Sequence, residues 1–285
     1  MEGLIIKILS DKCYVKTQEE VIVCSIRGKF RSLRLLPFVG DRVLIDEKKK
    51  VIEKILPRDN EIRRPPVSNI TQAIIVTSFK NPDFSTNLID KILIELEFNS
   101  IKPIICLTKK DLLTNEELES YKETIDYYNK IGYPVYYNDE VDKLKKVFKN
   151  EVTVLIGQTG AGKSTLLNKL DSSLNLKTGE VSLALGRGLH TTRHVEMIEL
   201  FDGMLLDTPG FSALEFQNMT KIEVRDAFVE FRNFPCLYRD CMHTNESDCM
   251  VKQAVDNKKI IKSRYENYLK LMETALSESE KYKRK

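Results

Sequence analysis

The sequence predicts a multi-domain protein with a small N-terminal β-barrel, a central α/β domain built on a mostly parallel sheet, and a C-terminal helical domain that binds a metal ion. Three observations predict it. Short strand-like segments fill residues 1–62, strands alternate with helices from residue 70, and cysteines cluster between residues 236 and 249. We place the domains at 1–66, 67–213 and 214–285.

Composition limits the class of protein. The 285 residues are 42% apolar and 31% charged, which suits packed cores and not a disordered chain. No apolar run approaches the ~18 residues that span a bilayer, and no signal peptide is visible. We therefore expect a cytoplasmic protein with no membrane partner, in which Cys13, Cys24 and Cys106 are reduced.

Charge is distributed unevenly along the chain. The net charge is +3, with basic residues in excess over 1–66 and 258–285 and acidic residues in excess between them. Basic flanks suggest a polyanionic partner, and the alternative is an ordinary solvated surface.

The N-terminal segment predicts a five-stranded barrel. Its strand-like pieces are GLIIKIL, KCYVKT, VIVCSIRGKFR, DRVLID and KKVIEKIL, and RDNEIRRPP ends them. Arg27, Lys29 and Arg31 alternate along the third piece, so they face one side of a strand. Such a stripe suits contact with an RNA backbone, or it is simply a solvated strand face.

The central segment alternates strands with helices. QAIIVTSF, KPIICLT, YPVYY and EVTVLIG predict buried strands, and TNLIDKILIELEFN has helical apolar spacing. Thr114 and Glu117 predict a capping box on the next helix. VEMIELFDGMLLD predicts a hairpin that turns at Asp202-Gly203.

GQTGAGKST, between a strand and a helix, matches the phosphate-binding loop G-x-x-x-x-G-K-[ST]. Its glycines allow backbone N–H groups to surround phosphate oxygens, its lysine contacts the β and γ phosphates, and its serine is a ligand for Mg²⁺. The predicted nucleotide-binding residues are Gly157, Gln158, Thr159, Gly160, Ala161, Gly162, Lys163, Ser164 and Thr165.

Two later motifs supply further candidates for contact with the γ phosphate and Mg²⁺. In LLDTPGF, Asp207 suits the Mg²⁺ site and the Gly210 amide suits the γ phosphate, although a strand-end turn has the same composition. In GRGLHTTRHVE, Thr191 and Thr192 are both candidates for a nucleotide-dependent contact with Mg²⁺.

TKKD follows a buried strand and could recognise guanine. The Asp111 carboxylate can accept the adjacent N1–H and N2–H₂ groups of guanine, Lys109 can lie along the ring, and Thr108 and Lys110 complete the motif. The alternative is a plain helix start. TKKD precedes the phosphate loop, an order that permutation of an open parallel sheet permits because ligand loops share the carboxyl edge.

The cysteine cluster predicts a structural metal site. Cys236, Cys241, His243 and Cys249 form a Cys₃His set of the kind that holds Zn²⁺ in a closed tetrahedron. The alternative is three buried cysteines and a surface histidine.

The motif order TKKD, GQTGAGKST, GRGLHTTRHVE, DTPGF, with the barrel and the cysteine cluster, resembles the RsgA (YjeQ) family of circularly permuted GTPases. The resemblance covers essentially the whole chain and implies an OB-like barrel, a permuted P-loop GTPase domain and a helical zinc-binding domain. It also implies bound Mg²⁺ and GTP or GDP, contact with ribosomal RNA, and action in late maturation of the small (30S) ribosomal subunit.

The resemblance also implies a hydrolytic role for His190 in the switch loop, because Phe211 stands where many GTPases carry a water-orienting Gln. The alternative for His190 is a structural role. The family often has a Ser-rich guanine-contact loop where this chain has NDE at 138–140, so no residue is assigned there. We expect a monomer.

Two other functions fit the motifs. One is a P-loop ATPase or nucleotide kinase, against which TKKD argues. The other is an RNA-binding assembly factor that uses GTP only as a signal of occupancy.

Overall fold

The structure is a computed structural model that describes residues 1–26, 36–63, 66–176, 195–207 and 219–277. Its strands are β1 (Glu2–Leu9), β2 (Lys12–Lys16), β3 (Val21–Ile26), β4 (Arg42–Asp46), β5 (Val51–Ile55), β6 (Glu61–Arg63), β7 (Pro66–Ser68), β8 (Gln72–Ser78), β9 (Lys102–Thr108), β10 (Val135–Tyr137), β11 (Val152–Ile156), β12 (Glu196–Leu200) and β13 (Gly203–Asp207). Its α-helices are α1 (Thr86–Phe98), α2 (Asn115–Lys130), α3 (Val141–Val147), α4 (Lys163–Leu170), α5 (Lys221–Ala227), α6 (Met250–Asp256) and α7 (Lys262–Thr274).

The chain folds into two compact units. The first unit contains Met1–Val76 and Asn138–Ala213, and the second contains Thr77–Tyr137 and Leu214–Lys285. Strand β8 crosses this division, because its last two residues belong to the second unit. The three-domain division into 1–66, 67–213 and 214–285 stays a prediction.

The N-terminal barrel lies in the first unit and has the five predicted strands, of which the third is confirmed as far as Ile26. Strand β1 pairs with both β2 and β4, β2 pairs with β3, and β5 joins β3 to β4, so the strands close on themselves. Alternate residues point inward and form an apolar core, because successive side chains of a strand face opposite sides. That core consists of Ile5, Cys13, Val15, Cys24, Val43, Ile45 and Ile52.

The rest of the first unit is built around β11. It lies between β8 and β13 and is parallel to both, and β12 returns antiparallel along β13. The β12–β13 hairpin was predicted, but its tight turn lies at Phe201 and Asp202, whose φ angles are 50° and 59°. Gly203 is required for another reason, since a Cβ there would lie 1.9 Å from the Phe148 carbonyl oxygen.

The barrel is joined to this hairpin within the first unit. Strand β1 pairs antiparallel with β12, with Lys7 opposite Glu196. The Lys7 Nζ atom lies 2.6 Å from the Glu196 carboxylate, and Lys16 forms a second ion pair with Glu199. Strand β12 is therefore held on one side by its own hairpin and on the other by the barrel.

The second unit contains the parallel pair β9 and β10 and most of the helices. The predicted capping box of α2 is present: Thr114 and Glu117 each accept from the other's backbone N–H group. The C-terminal segment is mainly helical, as predicted, and packs around Phe228, Phe231 and Tyr268. Among the described helices, none combines the length and apolar character needed to cross a bilayer.

Candidate functional site

The phosphate-binding loop connects β11 to α4 in the first unit. Gly157 has a φ of 154°, and a Cβ there would lie 2.1 Å from the Val76 carbonyl oxygen, so only glycine fits against the end of β8. Gly160 and Gly162 have φ angles of 83° and 99°, in the left-handed region that favours glycine. Gly162 is the N-cap of α4. The predicted strand, loop and helix are therefore all present.

Lys163 and Ser164 open α4 and are both buried. The Lys163 ammonium donates to the carbonyl oxygens of Gly157 and Gln158, at 2.5 and 2.8 Å, so it lies over the loop from which it extends. Burial lowers the pKa of this lysine. A cation and a hydroxyl at a helix N-terminus, where N–H groups lack partners within the helix, suit phosphate and its Mg²⁺.

The other residues of the phosphate loop differ in solvent exposure. Gln158, Thr159, Gly160 and Thr165 are exposed, whereas Ala161 is buried and its N–H donates to the Gln158 carbonyl at 3.2 Å. Gln158, Thr159, Gly160 and Thr165 are therefore accessible from solvent, from which a phosphate group would approach.

The other residues predicted to contact the phosphates, Mg²⁺ or the attacking water lie at the edge of the described residues or outside them. Asp207 ends β13, as predicted, and its backbone pairs with Glu196. His190, Thr191, Thr192 and Gly210 lie outside the described residues, and so do Arg27, Lys29 and Arg31 of the predicted RNA-binding stripe.

The TKKD segment lies in the second unit, at the carboxyl end of β9. The Thr108 hydroxyl is buried and donates to the Thr77 carbonyl at 3.4 Å, which joins the ends of β9 and β8. Lys109 adopts the left-handed conformation and begins a 3₁₀ turn over Lys110–Leu112. The Lys110 ammonium lies 4.6 Å from the centre of the Tyr137 ring. The Asp111 side chain is exposed at the middle of this turn.

The predicted metal-binding residues are brought together in the second unit. The ligand atoms of Cys236, Cys241, His243 and Cys249 all lie within 4.8 Å of one another. The Nδ1 atom of His243 is 3.3 Å from the sulfurs of Cys241 and Cys249 and 3.5 Å from that of Cys236. Such separations are close to those expected when ligands surround one ion at 2.0–2.3 Å in a tetrahedron. This set could therefore hold a metal ion.

Hydrogen bonds fix the loop that carries these ligands. The Tyr265 hydroxyl donates to the His243 carbonyl at 2.7 Å, and the Tyr268 hydroxyl donates to the Met242 carbonyl. The Glu246 carboxylate accepts from the N–H groups of Met242 and Thr244, both at 2.8 Å. The two tyrosines come from α7 and were not predicted, because nothing in their spacing points to the cysteine cluster.

Comparison with known proteins identifies the family. The RsgA N-terminal domain matches residues 2–51, and the RsgA GTPase domain matches residues 55–217. This chain belongs to the RsgA GTPase family. The RsgA 2 protein of Oceanobacillus iheyensis, a small ribosomal subunit biogenesis GTPase, is 45% identical over 99% of both chains. The RsgA protein of Clostridium botulinum, of the same description, is 46% identical over 99% of this chain and all of its own.

Solved structures of RsgA relatives have the same fold. YjeQ from Thermotoga maritima matches with a TM-score of 0.82 and 34% identity, over 95% of this chain and 96% of its own. YloQ, described as a circularly permuted GTPase, matches with a TM-score of 0.80 and 36% identity, over 100% of this chain and 96% of its own. The resemblance and the fold class predicted from the motifs are thereby confirmed.

Proposed function

We propose that this RsgA-family GTPase hydrolyses GTP to GDP and phosphate during late maturation of the small ribosomal subunit, and that the docked subunit stimulates hydrolysis. The observation that carries the proposal is the phosphate loop, with Lys163 and Ser164 at the start of α4, in a chain whose full-length relatives are small ribosomal subunit biogenesis GTPases.

Each motif has a role in the proposed reaction. The phosphate loop binds the β and γ phosphates, and Ser164 with Asp207 and either Thr191 or Thr192 binds Mg²⁺. Bound Mg²⁺ would neutralise the charge of the transferred phosphoryl group.

Asp111 selects guanine, with Thr108, Lys109 and Lys110 beside it. The Gly210 amide contacts the γ phosphate. His190 orients the attacking water or accepts its proton.

The Cys₃His set holds one structural Zn²⁺. Four protein ligands fill a tetrahedral site and leave no position for a reacting water, so the ion would stabilise the fold of the second unit and not catalyse. Three of the four ligands are buried among apolar residues, which agrees with a structural role.

The flanks supply the contacts with the subunit. Arg27, Lys29 and Arg31, whose alternation along the sequence predicts one basic face, bind the backbone of ribosomal RNA. The protein acts in the cytoplasm as a monomer with the domains 1–66, 67–213 and 214–285.

GTP turnover measured with and without purified small subunits tests this function. We expect low turnover by the protein alone, because Phe211 cannot orient water by a hydrogen bond, and a large increase with subunits. Large ribosomal subunits at the same concentration serve as the control. Equal turnover with and without small subunits would overturn the proposal that the docked subunit stimulates hydrolysis.

The same assay separates the alternatives. His190→Ala should lower the stimulated rate while GTP still binds, whereas an unchanged rate would show that His190 is not catalytic. A factor that uses GTP only as an occupancy signal would show no stimulated turnover at all. Competition between GTP and ATP for binding excludes the ATPase and kinase alternatives if GTP is preferred.

A further inference from the structure

The loop that follows β8 contacts both sides of the turn that carries Asp111. On the near side, the Phe79 N–H donates to the Thr108 carbonyl at 3.2 Å, and the Lys109 ammonium donates to the Asn81 carbonyl. On the far side, the Lys80 ammonium donates to the Leu112 carbonyl at 3.2 Å. Residues 79–81 therefore bracket the turn at its start and its end.

Lys80 also holds the helix that follows the turn. Its ammonium lies 2.7 and 2.8 Å from the two carboxylate oxygens of Glu117, the residue that completes the capping box of α2. One cation thus joins the last carbonyl of the 3₁₀ turn to the first turn of the next helix. Because an ammonium has three N–H donors, Leu112 and Glu117 together can use all of them.

The turn itself has few other constraints. Its own hydrogen bonds are the short-range pairs Leu112 to Lys109 and Leu113 to Lys110, both 3.1 Å long. Asp111 and Leu112 are exposed, so packing does not fix the direction of the carboxylate. A carboxylate that must accept two N–H groups of one base requires a fixed direction, because hydrogen bonds weaken steeply with angle.

We propose that Lys80 is a positioning residue for guanine specificity, which sets the direction of the Asp111 carboxylate by tying the Leu112 carbonyl to Glu117. This proposal rests on the proposed function, in which Asp111 reads the base. Lys80 does not contact the nucleotide itself. It determines how well the turn discriminates the 2-amino group of guanine.

The test compares affinities for GTP and ITP, which differ only in that 2-amino group, in the full chain carrying Lys80→Met. We expect GTP to bind about 3- to 10-fold more weakly, the energy of about one hydrogen bond, and ITP to be affected less. The preference for GTP over ITP should therefore fall, and KM for GTP should rise with kcat unchanged. Lys80→Arg should restore the preference, since a guanidinium can join the same two acceptors.

Lys122→Met is the matched control. Lys122 also pairs with a glutamate of α2, Glu119, at 3.1 Å, but the pair lies outside the turn. The proposal would be overturned if Lys80→Met prefers GTP over ITP as strongly as the wild type does. It would also be overturned if Lys122→Met loses this preference to the same extent. If Lys80→Met unfolds below the assay temperature, Lys80→Gln replaces it in the same comparison.

Asp111→Asn separates this proposal from the base assignment. An amide can donate to the 2-oxo group of xanthine, so this variant should lose GTP and gain XTP. If Asp111→Asn binds GTP as the wild type does, the assignment of Asp111 is wrong. If Asp111→Asn changes preference and Lys80→Met does not, only the role of Lys80 is wrong.

Discussion

Arg264 of α7 is fully buried and balanced by two acids from other parts of the second unit. It donates to Asp90 and to Glu230, each at 2.7 Å. The Asp90 oxygen that accepts from Arg264 also accepts from Tyr128, and the other Asp90 oxygen accepts from Asn267. Removing Arg264 would leave two buried carboxyl groups without their cation, and breaking a buried ion pair in this way costs about 3–5 kcal/mol. The cluster therefore specifies one arrangement of α1 and α7.

Glu95 of α1 is a second buried acid, and it gives the fold a pH dependence. Burial raises the pKa of Glu95 from 4.5 to about 8, with Lys91 opposing the shift and Glu223 adding to it. The folded state then holds a proton that the unfolded state has released, so stability falls as pH rises from about 4.5 to about 8.

We expect Glu95→Gln to remove this slope. The variant should be more stable than the wild type by about 2 kcal/mol at pH 8.5, with a smaller gain at pH 5.5. Thermal unfolding at the two pH values measures the difference. The control Glu123→Gln, at an exposed position of α2, should show no such change in stability. If Glu95→Gln gains the same stability at both pH values, the explanation is wrong.

At the scale of elements, the phosphate loop could be predicted almost completely. Gly160 and Gly162 are required by local backbone geometry, which spacing in the sequence reports directly, whereas Gly157 is also required by its close approach to Val76. The loop after β8 could not be predicted in the same way. Asn81 contacts Lys109 of TKKD, and Lys80 contacts Leu112 directly after it, each across about 30 residues of chain. A lysine beside an asparagine carries no periodic signal.

The phosphate loop predicts the effect of Lys163→Met. Losing the cation proposed to bond phosphate oxygens should weaken GTP binding about 10- to 100-fold, as expected for a charge-assisted hydrogen bond, and should abolish turnover. Equilibrium binding of a fluorescent GTP analogue measures this. Lys169→Met, at an exposed position of the same helix, is the control, and wild-type binding by Lys163→Met would contradict the assignment.

The metal-binding loop predicts that metal content and folding are coupled. Cys249→Ser should reduce bound zinc below one ion per chain and lower the unfolding temperature, because Cys249 lies in the apolar core of the second unit. Elemental analysis measures the metal. As the control, Cys106→Ala should keep one zinc ion per chain. One zinc ion per chain in Cys249→Ser would exclude this ligand set.

At the scale of the whole molecule, the order of the motifs was the most informative part of the sequence. The TKKD turn, proposed to recognise guanine, precedes the phosphate loop, and this order indicated a permuted chain. The similarity to YloQ, described as a circularly permuted GTPase, agrees with it. What the order could not indicate is pairing between distant segments. Asp90 and Arg264 are 174 residues apart, and Lys7 and Glu196 are 189 apart, so neither pair leaves a local signal.

The pairing of β1 with β12 has a consequence for ligand coupling. Glu196, opposite Lys7, follows His190 by only six residues. The first barrel strand therefore anchors the chain immediately after the segment that contains His190 and the two threonines proposed to contact Mg²⁺. Through this pairing, we expect a barrel ligand that shifts β1 to change the affinity for GTP relative to GDP. By thermodynamic reciprocity, exchanging GTP for GDP would then change the affinity for that ligand by the same factor.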